Sequence, residues 1–176
     1  MGDGIEVLVV RHGPAEDRDA AARAGVADDD RALTDDGVRK MRSAASGLRE
    51  LVPGASAVLH SPLRRARETA DILSAVWGLR ATPCSALAPG GDGGAVYEAA
   101  AVDTSGGPVV VVGHEPDLSI WIGEAIGVPA GGHVEMKKGA ACLLRFPECP
   151  ARGRASLLWL VPARALRRMA AQGASG

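Results

Sequence analysis

Short apolar runs alternate along the chain with segments whose apolar positions recur every three or four residues. Continuous apolar runs are typical of strands that are covered on both faces of a sheet. Segments with the three- and four-residue spacing are typical of helices with one buried face. This alternation of strands and helices predicts one α/β domain over residues 1–176. The predicted strands span residues 5–10, 57–60, 79–84, 108–112, 141–146 and 156–161.

The helices are predicted from their start signals and their apolar faces. Thr34 supplies an N-cap, because its hydroxyl can accept a hydrogen bond from the next turn, and Asp35 and Asp36 suit the first turn. The helix that follows is expected to end at Pro53-Gly54. Ser61 before Pro62 predicts the start of a second helix. Residues 14–32 read as a loop with one short helix, and further helices are predicted at residues 95–103 and 162–172. Another is predicted from the helical face formed by Leu118, Trp121 or Ile122, Ala125 and Ile126.

Composition and charge restrict the classes of partner. The net charge is −1, and one Tyr, one Phe and three Trp leave little aromatic surface on which nucleic-acid bases could stack. Residues 1–36 carry ten acids and four bases, whereas residues 131–176 carry two acids and eight bases. We interpret this asymmetry as solvated surface. No nucleic-acid partner is predicted.

The cysteines and the apolar runs indicate the cellular compartment in which the protein is expected. Cys84, Cys142 and Cys149 are odd in number and lack the spacing of metal ligands or of a disulfide framework, which favours a reducing compartment. The N-terminal apolar run is only six residues long, and no run approaches the length that crosses a bilayer. The sequence predicts a cytoplasmic protein with no membrane partner.

Polar motifs follow three of the predicted strands. Arg11-His12-Gly13 follows the first strand, and Gly113-His114-Glu115-Pro116 follows the strand at residues 108–112. Ser61 opens the third segment, in which Arg65 lies in the first turn of a helix. If the strands are parallel neighbours, their ends meet at one edge of the sheet, where ligands of α/β proteins bind. Arginine forks, a histidine nucleophile and helix N-termini at that edge predict a phosphate site. We assign structural roles to His60 and His133.

In order and spacing, these motifs resemble those of the histidine phosphatase superfamily, and within it the SixA-type phosphohistidine phosphatases. The resemblance extends from Val7 to about Ile126. The segments that carry it read Arg11-His12-Gly13-Pro14-Ala15, Arg31-Ala32-Leu33-Thr34-Asp35-Asp36-Gly37, Ser61-Pro62-Leu63-Arg64-Arg65-Ala66-Arg67-Glu68-Thr69-Ala70, Leu87-Ala88-Pro89-Gly90-Gly91-Asp92 and Val112-Gly113-His114-Glu115-Pro116.

The resemblance implies a three-layer α/β/α sandwich with a mainly parallel central sheet, like that of phosphoglycerate mutase. It also implies that His12 attacks phosphorus and forms a phosphohistidine intermediate that water hydrolyses. Arg11, Arg65 and His114 match the other members of the family's phosphate pocket, and they are expected to bind the phosphate and stabilise the transition state.

Two further residues are assigned to phosphate binding with less support from the motifs. Gly13 lets the backbone approach the ligand, and Arg18, in the loop after His12, is a candidate extra phosphate contact. Arg64 is expected to point away from the site. Neither a metal nor another cofactor is predicted.

One departure from the family pattern bears on the substrate. Larger relatives place a glutamate, their proton donor, just before the segment that here reads Ser85-Ala86-Leu87, and Ala86 cannot donate a proton. An alkoxide leaving group needs that proton, whereas the conjugate acid of imidazole has a pKa of about 6.5 and forms easily near neutral pH. The missing acid therefore favours phosphohistidine as the substrate. Asp92 and Glu115 are candidate substitutes for the donor.

These observations lead to one main hypothesis and two alternatives. The main hypothesis is a metal-independent phosphatase that hydrolyses phosphohistidine on a protein, such as a histidine phosphorelay domain. The short stretch between Ser85 and Val109 leaves little chain for a lid, so an open pocket could admit a side chain on a protein surface. The first alternative is a phosphatase for a small phosphorylated metabolite. The second is a module that binds phosphate without catalysis.

Overall fold

A six-stranded sheet forms the centre of the computed structural model, which describes residues 4–101, 106–128 and 134–173. In chain order the strands are β1 (Ile5–Arg11), β2 (Ala57–His60), β3 (Ala81–Pro83), β4 (Val109–Gly113), β5 (Ala141–Phe146) and β6 (Ser156–Val161). The helices are α1 (Arg18–Arg23), α2 (Asp35–Leu51), α3 (Arg64–Trp77), α4 (Gly93–Ala100), α5 (Asp117–Ala125) and α6 (Ala163–Gly173). Two short 3₁₀ turns lie at Asp28–Asp30 and Ser85–Leu87. None of the helices in the described ranges combines the length and the apolar composition needed to cross a membrane.

The strand order across the sheet is β3-β2-β4-β1-β5-β6. The first four strands in that order pair in parallel, whereas β5 is antiparallel to both β1 and β6. The sheet is therefore mixed, with a parallel part that carries the three strands followed by polar motifs. This arrangement confirms the α/β class and the mainly parallel sheet.

Helices cover both faces of the sheet and make two separate cores. Val7 and Val9 of β1 point into a core shared with α4 and α5. Leu8 and Val10, on the opposite face of the same strand, point into a core shared with α2, α3 and α6. All four side chains are fully buried, which explains why β1 is continuously apolar. The predicted three layers are therefore present.

The predicted N-cap of α2 is confirmed, and that of α3 is wrong. Thr34 Oγ1 accepts from the backbone N–H of Gly37 at 2.9 Å, and α2 begins at the next residue. By contrast, α3 begins at Arg64 with Leu63 as its N-cap residue. Ser61 Oγ instead accepts from the backbone N–H of Leu63 at 3.3 Å, a short turn that competes with capping. The chain after β2 therefore makes an extra bend before the helix.

The helix predicted at residues 95–103 starts earlier, because Asp92 Oδ1 accepts from the backbone N–H of Gly94 and caps α4 at Gly93. The helix ends at Ala100, and residues 102 and 103 of the prediction lie outside the described residues, as does His133. The helix predicted in the segment after β1 is α1. Its first turn follows Asp17, whose carboxylate accepts from the backbone N–H of Ala20 at 2.9 Å.

The ends of β1, β2 and β4 meet at one edge of the sheet. Arg11 at the end of β1 is in register with Gly113 at the end of β4, and His60 at the end of β2 is in register with Val112. The backbone continues this pairing beyond the strands, since His12 N–H donates to the carbonyl of Gly113 at 3.1 Å. The three polar motifs are consequently neighbours, as the sequence predicts.

Candidate active site

A cleft of about 600 Å³ lies at this edge of the sheet. It contains four arginines and a lysine beside three acidic side chains and two histidines, so its walls carry a net positive charge that favours an anionic ligand. The lining residues are Arg11, His12, Ala15, Glu16, Asp17, Arg18, Arg31, Thr34, Arg65, Pro89, His114, Glu115 and Lys138.

His12 lies in this cleft with 6% of its surface exposed. Its Nδ1 is 2.7 Å from the backbone oxygen of Gly13. A carbonyl only accepts, so Nδ1 carries the proton and Nε2 keeps its lone pair. Burial, opposed by that hydrogen bond but reinforced by the charges of His114, Arg65 and Arg11, lowers the pKa of His12 to about 3. The imidazole is therefore neutral at physiological pH, in the tautomer that a nucleophile attacking through Nε2 requires.

His114 stands beside His12, with 5.0 Å between the two ring centroids. Its Nε2 is 2.7 Å from Ser61 Oγ, while its Nδ1 is buried without a partner. Burial first, and then the charge of Arg65, lower the pKa of His114 to about 4. When the Ser61 hydroxyl donates to Nε2, the proton of the neutral ring resides on Nδ1, where it can donate to a ligand.

Arg65 reaches the cleft from the first turn of α3 and is 3% exposed. Its Nη1 donates to the backbone oxygen of Asp28 at 2.7 Å, and its Nη2 pairs with the Asp28 carboxylate at 3.1 Å. The other carboxylate oxygen of Asp28 accepts from Arg31 and Arg18, both at 3.0 Å. Burial raises the pKa of Asp28, but the hydrogen bond from Arg31 and the charge of Arg65 outweigh it and lower the pKa overall. Asp28 is thus an ionised anchor for three arginines.

Arg11 enters the cleft from the end of β1. Its Nη1 donates to the backbone oxygen of Met136 at 2.7 Å, which leaves Nε buried and without a partner. The Nε of Arg65 is also buried and without a hydrogen-bond partner. Together with His114 Nδ1 and Glu115 Oε1, these are four buried polar atoms without partners on residues that line the cleft. Three of the four, the two Nε atoms and His114 Nδ1, can donate a hydrogen bond. A phosphoryl group, with its peripheral oxygens, would supply acceptors for such donors beside His12.

The remaining predicted phosphate contacts occupy different places. The Gly13 N–H donates to Thr69 Oγ1 at 3.0 Å, so it is engaged within the protein. A Cβ at Gly13 would lie 2.4 Å from Met41 Cγ. Glycine is therefore required here because a larger residue would collide with Met41. Arg18 lines the cleft, but 73% of its side chain is exposed. Arg64 pairs with Glu68 on the surface at 2.7 Å, away from the cleft as predicted.

The two candidate proton donors also differ in position. Asp92 is exposed, caps α4 and does not line the cleft. Glu115 does line it, and its Oε1 is buried without a partner. Burial is the main reason that the pKa of Glu115 is raised. Of the two candidate carboxyls, Glu115 is therefore the one that the structure places at the cleft.

Two residues that contact the side chains of the cleft, Asp28 and Ser61, are not predicted as part of the site. Asp28 lies in a run of three aspartates, and nothing in the run distinguishes the one that reaches Arg65. Ser61 is predicted as a helix cap, yet it is fully buried against His114. The bend between β2 and α3 turns its hydroxyl into the site. Among the described residues, no group of three or more His, Cys, Asp or Glu side chains is arranged to hold a metal ion.

Comparisons with known proteins agree with this geometry. A family model described as the histidine phosphatase superfamily (branch 1) matches residues 7–88. A protein of Picosynechococcus sp. of uncharacterized function is 38% identical over 148 residues, which cover 80% of this chain and 85% of that protein. The structure of the protein histidine phosphatase SixA complexed with tungstate is similar with a TM-score of 0.76 and 26% identity, covering 92% of this chain and 99% of that one. A phosphoglycerate mutase from Plasmodium falciparum shares the fold, with a TM-score of 0.63, 17% identity and coverage of 90% and 91% of the two chains.

Proposed function

The chain belongs to the histidine phosphatase superfamily and is of the SixA type, and we propose that this phosphatase hydrolyses phosphohistidine on a protein substrate through a covalent intermediate at His12. The observation that carries the proposal is the neutral His12, whose proton is fixed on Nδ1, beside the buried and unpartnered atoms Arg11 Nε, Arg65 Nε and His114 Nδ1. This set joins one nucleophile to three candidate donors for phosphoryl oxygens.

In the first step His12 Nε2 attacks phosphorus and the P–N bond of the substrate breaks. The departing imidazole of the substrate takes up a proton from solvent water, and the phosphoryl group remains on Nε2 of His12. In the second step a water oxygen attacks phosphorus, the Nε2–P bond breaks and inorganic phosphate forms. The neutral state of His12 suits it to both roles, because it is nucleophile in the first step and leaving group in the second.

The positive side chains replace a metal in this scheme. Charge on the phosphoryl oxygens is spread over the peripheral positions in the transition state. Arg11 and Arg65 carry permanent charges, and both are held by hydrogen bonds to the protein through Nη atoms, which orients their free Nε–H groups. Preorganised donors of this kind cost no reorganisation during the reaction. The proposal therefore includes activity without added metal.

The leaving group distinguishes phosphohistidine from an ester. Ala86 stands in the 3₁₀ turn Ser85–Leu87 and has no proton to give. The conjugate acid of imidazole has a pKa of about 6.5, so this leaving group takes up a proton easily near neutral pH, whereas an alkoxide needs a general acid that is worth about 10²–10⁴ in rate. The residues present at this turn therefore favour a phosphoramidate.

The form of the cleft supports a protein substrate. Its rim includes the exposed residues Arg18, Pro89 and Lys138, while the nucleophile lies below them. A phosphorylated side chain on a protein surface could enter the cleft while its own chain stays outside. A histidine phosphorelay domain would present its phosphohistidine to the cleft in this way.

Glu115 favours a second candidate, a phosphatase for small phosphomonoesters. Its buried, unpartnered Oε1 and its raised pKa would suit a proton donor to an alkoxide. The third hypothesis, a binding module without catalysis, has no such observation in its favour, because the proposed nucleophile and its partners are all present.

Initial hydrolysis rates, measured side by side without added metal, test the proposal. The substrates are a phosphohistidine protein and a panel of sugar and glycerate phosphates. We expect kcat/KM for phosphohistidine to exceed that for every ester by at least about tenfold. A preference for an ester that disappears in Glu115→Gln would favour the second candidate. No turnover of either class would favour the third.

A further inference from the structure

A second cavity, of about 230 Å³, adjoins the cleft on the side of the 3₁₀ turn Ser85–Leu87. We call it the side pocket. Its floor is apolar and its rim carries charges of both signs. The residues that line it are Ala86, Leu87, Gly91, Gly93, Val96, His114, Asp117, Leu118, Ile120, Trp121, Glu124 and Arg152.

The apolar walls of the side pocket are held in place. Trp121 Nε1 donates to the backbone oxygen of Gly93 at 3.1 Å, and its ring lies 4.7 Å from the ring of Tyr97. Leu118 and Val96 are also almost fully buried. Because these side chains are already ordered, an apolar group can bind against them without a further loss of their conformational entropy.

The turn that closes the pocket is equally constrained. A Cβ at Gly91 would lie 2.3 Å from the backbone oxygen of Ala86, so this close approach of the two loop segments requires glycine. The backbone N–H of Gly90 donates to the Asp117 carboxylate at 3.1 Å and ties the loop to α5. The side pocket is therefore a built part of the fold.

His114 is a wall of both cavities. Any molecule whose phosphoryl group lies against His12 and His114 therefore passes close to the mouth of the side pocket. At that mouth Ile120 is 48% exposed, one of four large apolar side chains in the described residues that are exposed to solvent. An apolar surface that continues directly from a phosphate site is a place for the part of the substrate next to the phosphoryl group.

The size of the side pocket selects the occupant. Sites for whole small-molecule ligands typically enclose about 300–1,000 Å³, and the side pocket is smaller than that. It has room for one aromatic or branched aliphatic side chain. The rest of a protein substrate would stay outside, over the rim formed by Asp117, Glu124 and Arg152.

Resting on the proposed function, we infer that the side pocket binds one apolar side chain of the phosphorylated protein, close to its phosphohistidine. The side pocket then selects among phosphohistidine proteins, while the cleft recognises the phosphoryl group that they share.

Phosphohistidine peptides test this inference. A set of histidine peptides, phosphorylated with phosphoramidate, differs only in carrying Phe in place of Ala at one position within four residues of the histidine. We expect Phe at one or two of these positions to raise kcat/KM at least about tenfold, the effect of burying an aromatic side chain. In Ile120→Glu and in Trp121→Leu the gain is expected to fall below about threefold.

Leu157→Glu is the matched control, because Leu157 is a comparably exposed leucine (40%) on β6, outside both cavities. The control is expected to keep the full Phe gain. Equal kcat/KM for all peptides, or a Phe gain that survives in both pocket variants, would overturn the inference. The inference would also be overturned if the enzyme preferred naphthyl phosphate over methyl phosphate, if Ile120→Glu abolished that preference, and if the peptides showed no gain from Phe. The occupant of the side pocket would then be a small ester. Failure of the proposed function is distinct, since then no peptide is dephosphorylated, with Ala or with Phe.

Discussion

Arg65 contacts Asp28 twice, through Nη1 to its backbone oxygen at 2.7 Å and through Nη2 to its carboxylate at 3.1 Å. The arginine is 3% exposed, so its orientation depends on this one partner. The same carboxylate holds Arg31 and Arg18 on its other oxygen. Asp28 is therefore a positioning residue that touches no substrate in the proposed scheme, yet sets the direction of the Nε–H of Arg65.

Replacement of Asp28 tests this role. Because a hydrogen bond to a charged group contributes about 1.5–3 kcal/mol, we expect Asp28→Ala to lower kcat/KM by about 10–100-fold. Asp28→Asn, which keeps an acceptor at the same place, is expected to recover most of the loss. The measurement is steady-state kinetics, with inorganic phosphate as a competitive inhibitor to report binding.

Asp36 offers the control for Asp28. It also pairs with two cations, Arg39 and Lys40, but on the solvent side of α2. Exposed pairs contribute about 0–1 kcal/mol, so Asp36→Ala is expected to leave kcat/KM unchanged within about twofold. Equal effects of the two alanine variants would contradict a special role for Asp28.

The nucleophile is tested by trapping the intermediate. Wild-type enzyme quenched during turnover is expected to carry an acid-labile, base-stable phosphoryl group, because a phosphohistidine has that stability. His12→Ala is expected to carry none and to lose more than about 10³ in kcat. Mass spectrometry under alkaline conditions identifies the labelled residue.

His60 gives a control of the same local geometry. Like His12 it is buried at a strand end, and its Nδ1 is 2.7 Å from the backbone oxygen of the next residue. It does not line the cleft. His60→Ala is expected to leave the phosphoryl label on His12, and a label on His60 in the wild-type enzyme would contradict the assignment.

The sequence was sufficient to predict the sheet edge where the site lies. Continuous apolar runs identify β1 and β4, and the motifs directly after them carry Arg11, His12 and His114, so strand order alone brings these residues together. Arg65 follows for the same reason, because it lies in the first turn of the helix after β2. These predictions depend on local sequence patterns, which determine the secondary structure of each segment in the folded protein.

Asp28 and Ser61 could not be predicted in their roles, because each depends on the path of a loop. Three successive aspartates are equivalent in sequence, and only the 3₁₀ turn selects Asp28. Ser61 before Pro62 matches a helix start, but the chain bends once more and α3 begins at Arg64. In both cases the role depends on a tertiary contact, of Asp28 with Arg65 and of Ser61 with His114, that no local pattern indicates.

The pH dependence follows from the buried histidines. The pKa of His12 is about 3 in the folded protein, mainly because of burial, whereas an unfolded histidine titrates near 6.5. Between these values the unfolded state binds more protons, so the free energy of unfolding is highest above pH 6.5 and falls as the pH is lowered. From pH 7 to pH 4.5 the contribution of His12 to this fall is about 2.5 kcal/mol.

Urea unfolding at pH 7 and pH 4.5 measures that contribution as the difference between wild type and His12→Asn. The variant is expected to lose less stability on acidification, by the same ~2.5 kcal/mol. NMR of the ligand-free protein is expected to show the His12 ring still neutral at pH 5. A normal titration of His12 near pH 6.5 would show that its burial has no such effect.

Two glycine substitutions are expected to change stability in opposite directions. In Gly13→Ala the new Cβ would meet Met41 Cγ at 2.4 Å in a full core, and we expect a loss of about 1–3 kcal/mol. In Gly123→Ala, within α5, the Cβ meets nothing within 4 Å, and removing a helical glycine is expected to add about 0.5–1 kcal/mol. Denaturant melts of the two variants test both signs, and a stable Gly13→Ala would show that Met41 moves aside freely.

Substitution of Ala86 by glutamate is expected to increase the activity toward alkyl phosphomonoesters. Ala86 is half-buried beside the cleft and lines the side pocket together with His114. In Ala86→Glu a carboxyl enters a partly apolar setting, which raises its pKa and keeps it protonated near neutral pH. Because a general acid contributes about 10²–10⁴ to the departure of an alkoxide, we expect at least a gain of about tenfold in kcat for alkyl phosphomonoesters.

The same variant is expected to hydrolyse phosphohistidine no faster than wild type, since imidazole needs no donor. Ala86→Gln is the control, because it matches the size of glutamate but donates no carboxyl proton, and it is expected to gain nothing on esters. Steady-state kinetics against pH completes the test: the ester activity of Ala86→Glu should fall as its carboxyl ionises. An equal gain on both substrates, or a gain in Ala86→Gln, would mean that the substrate preference does not arise from the missing acid at this turn.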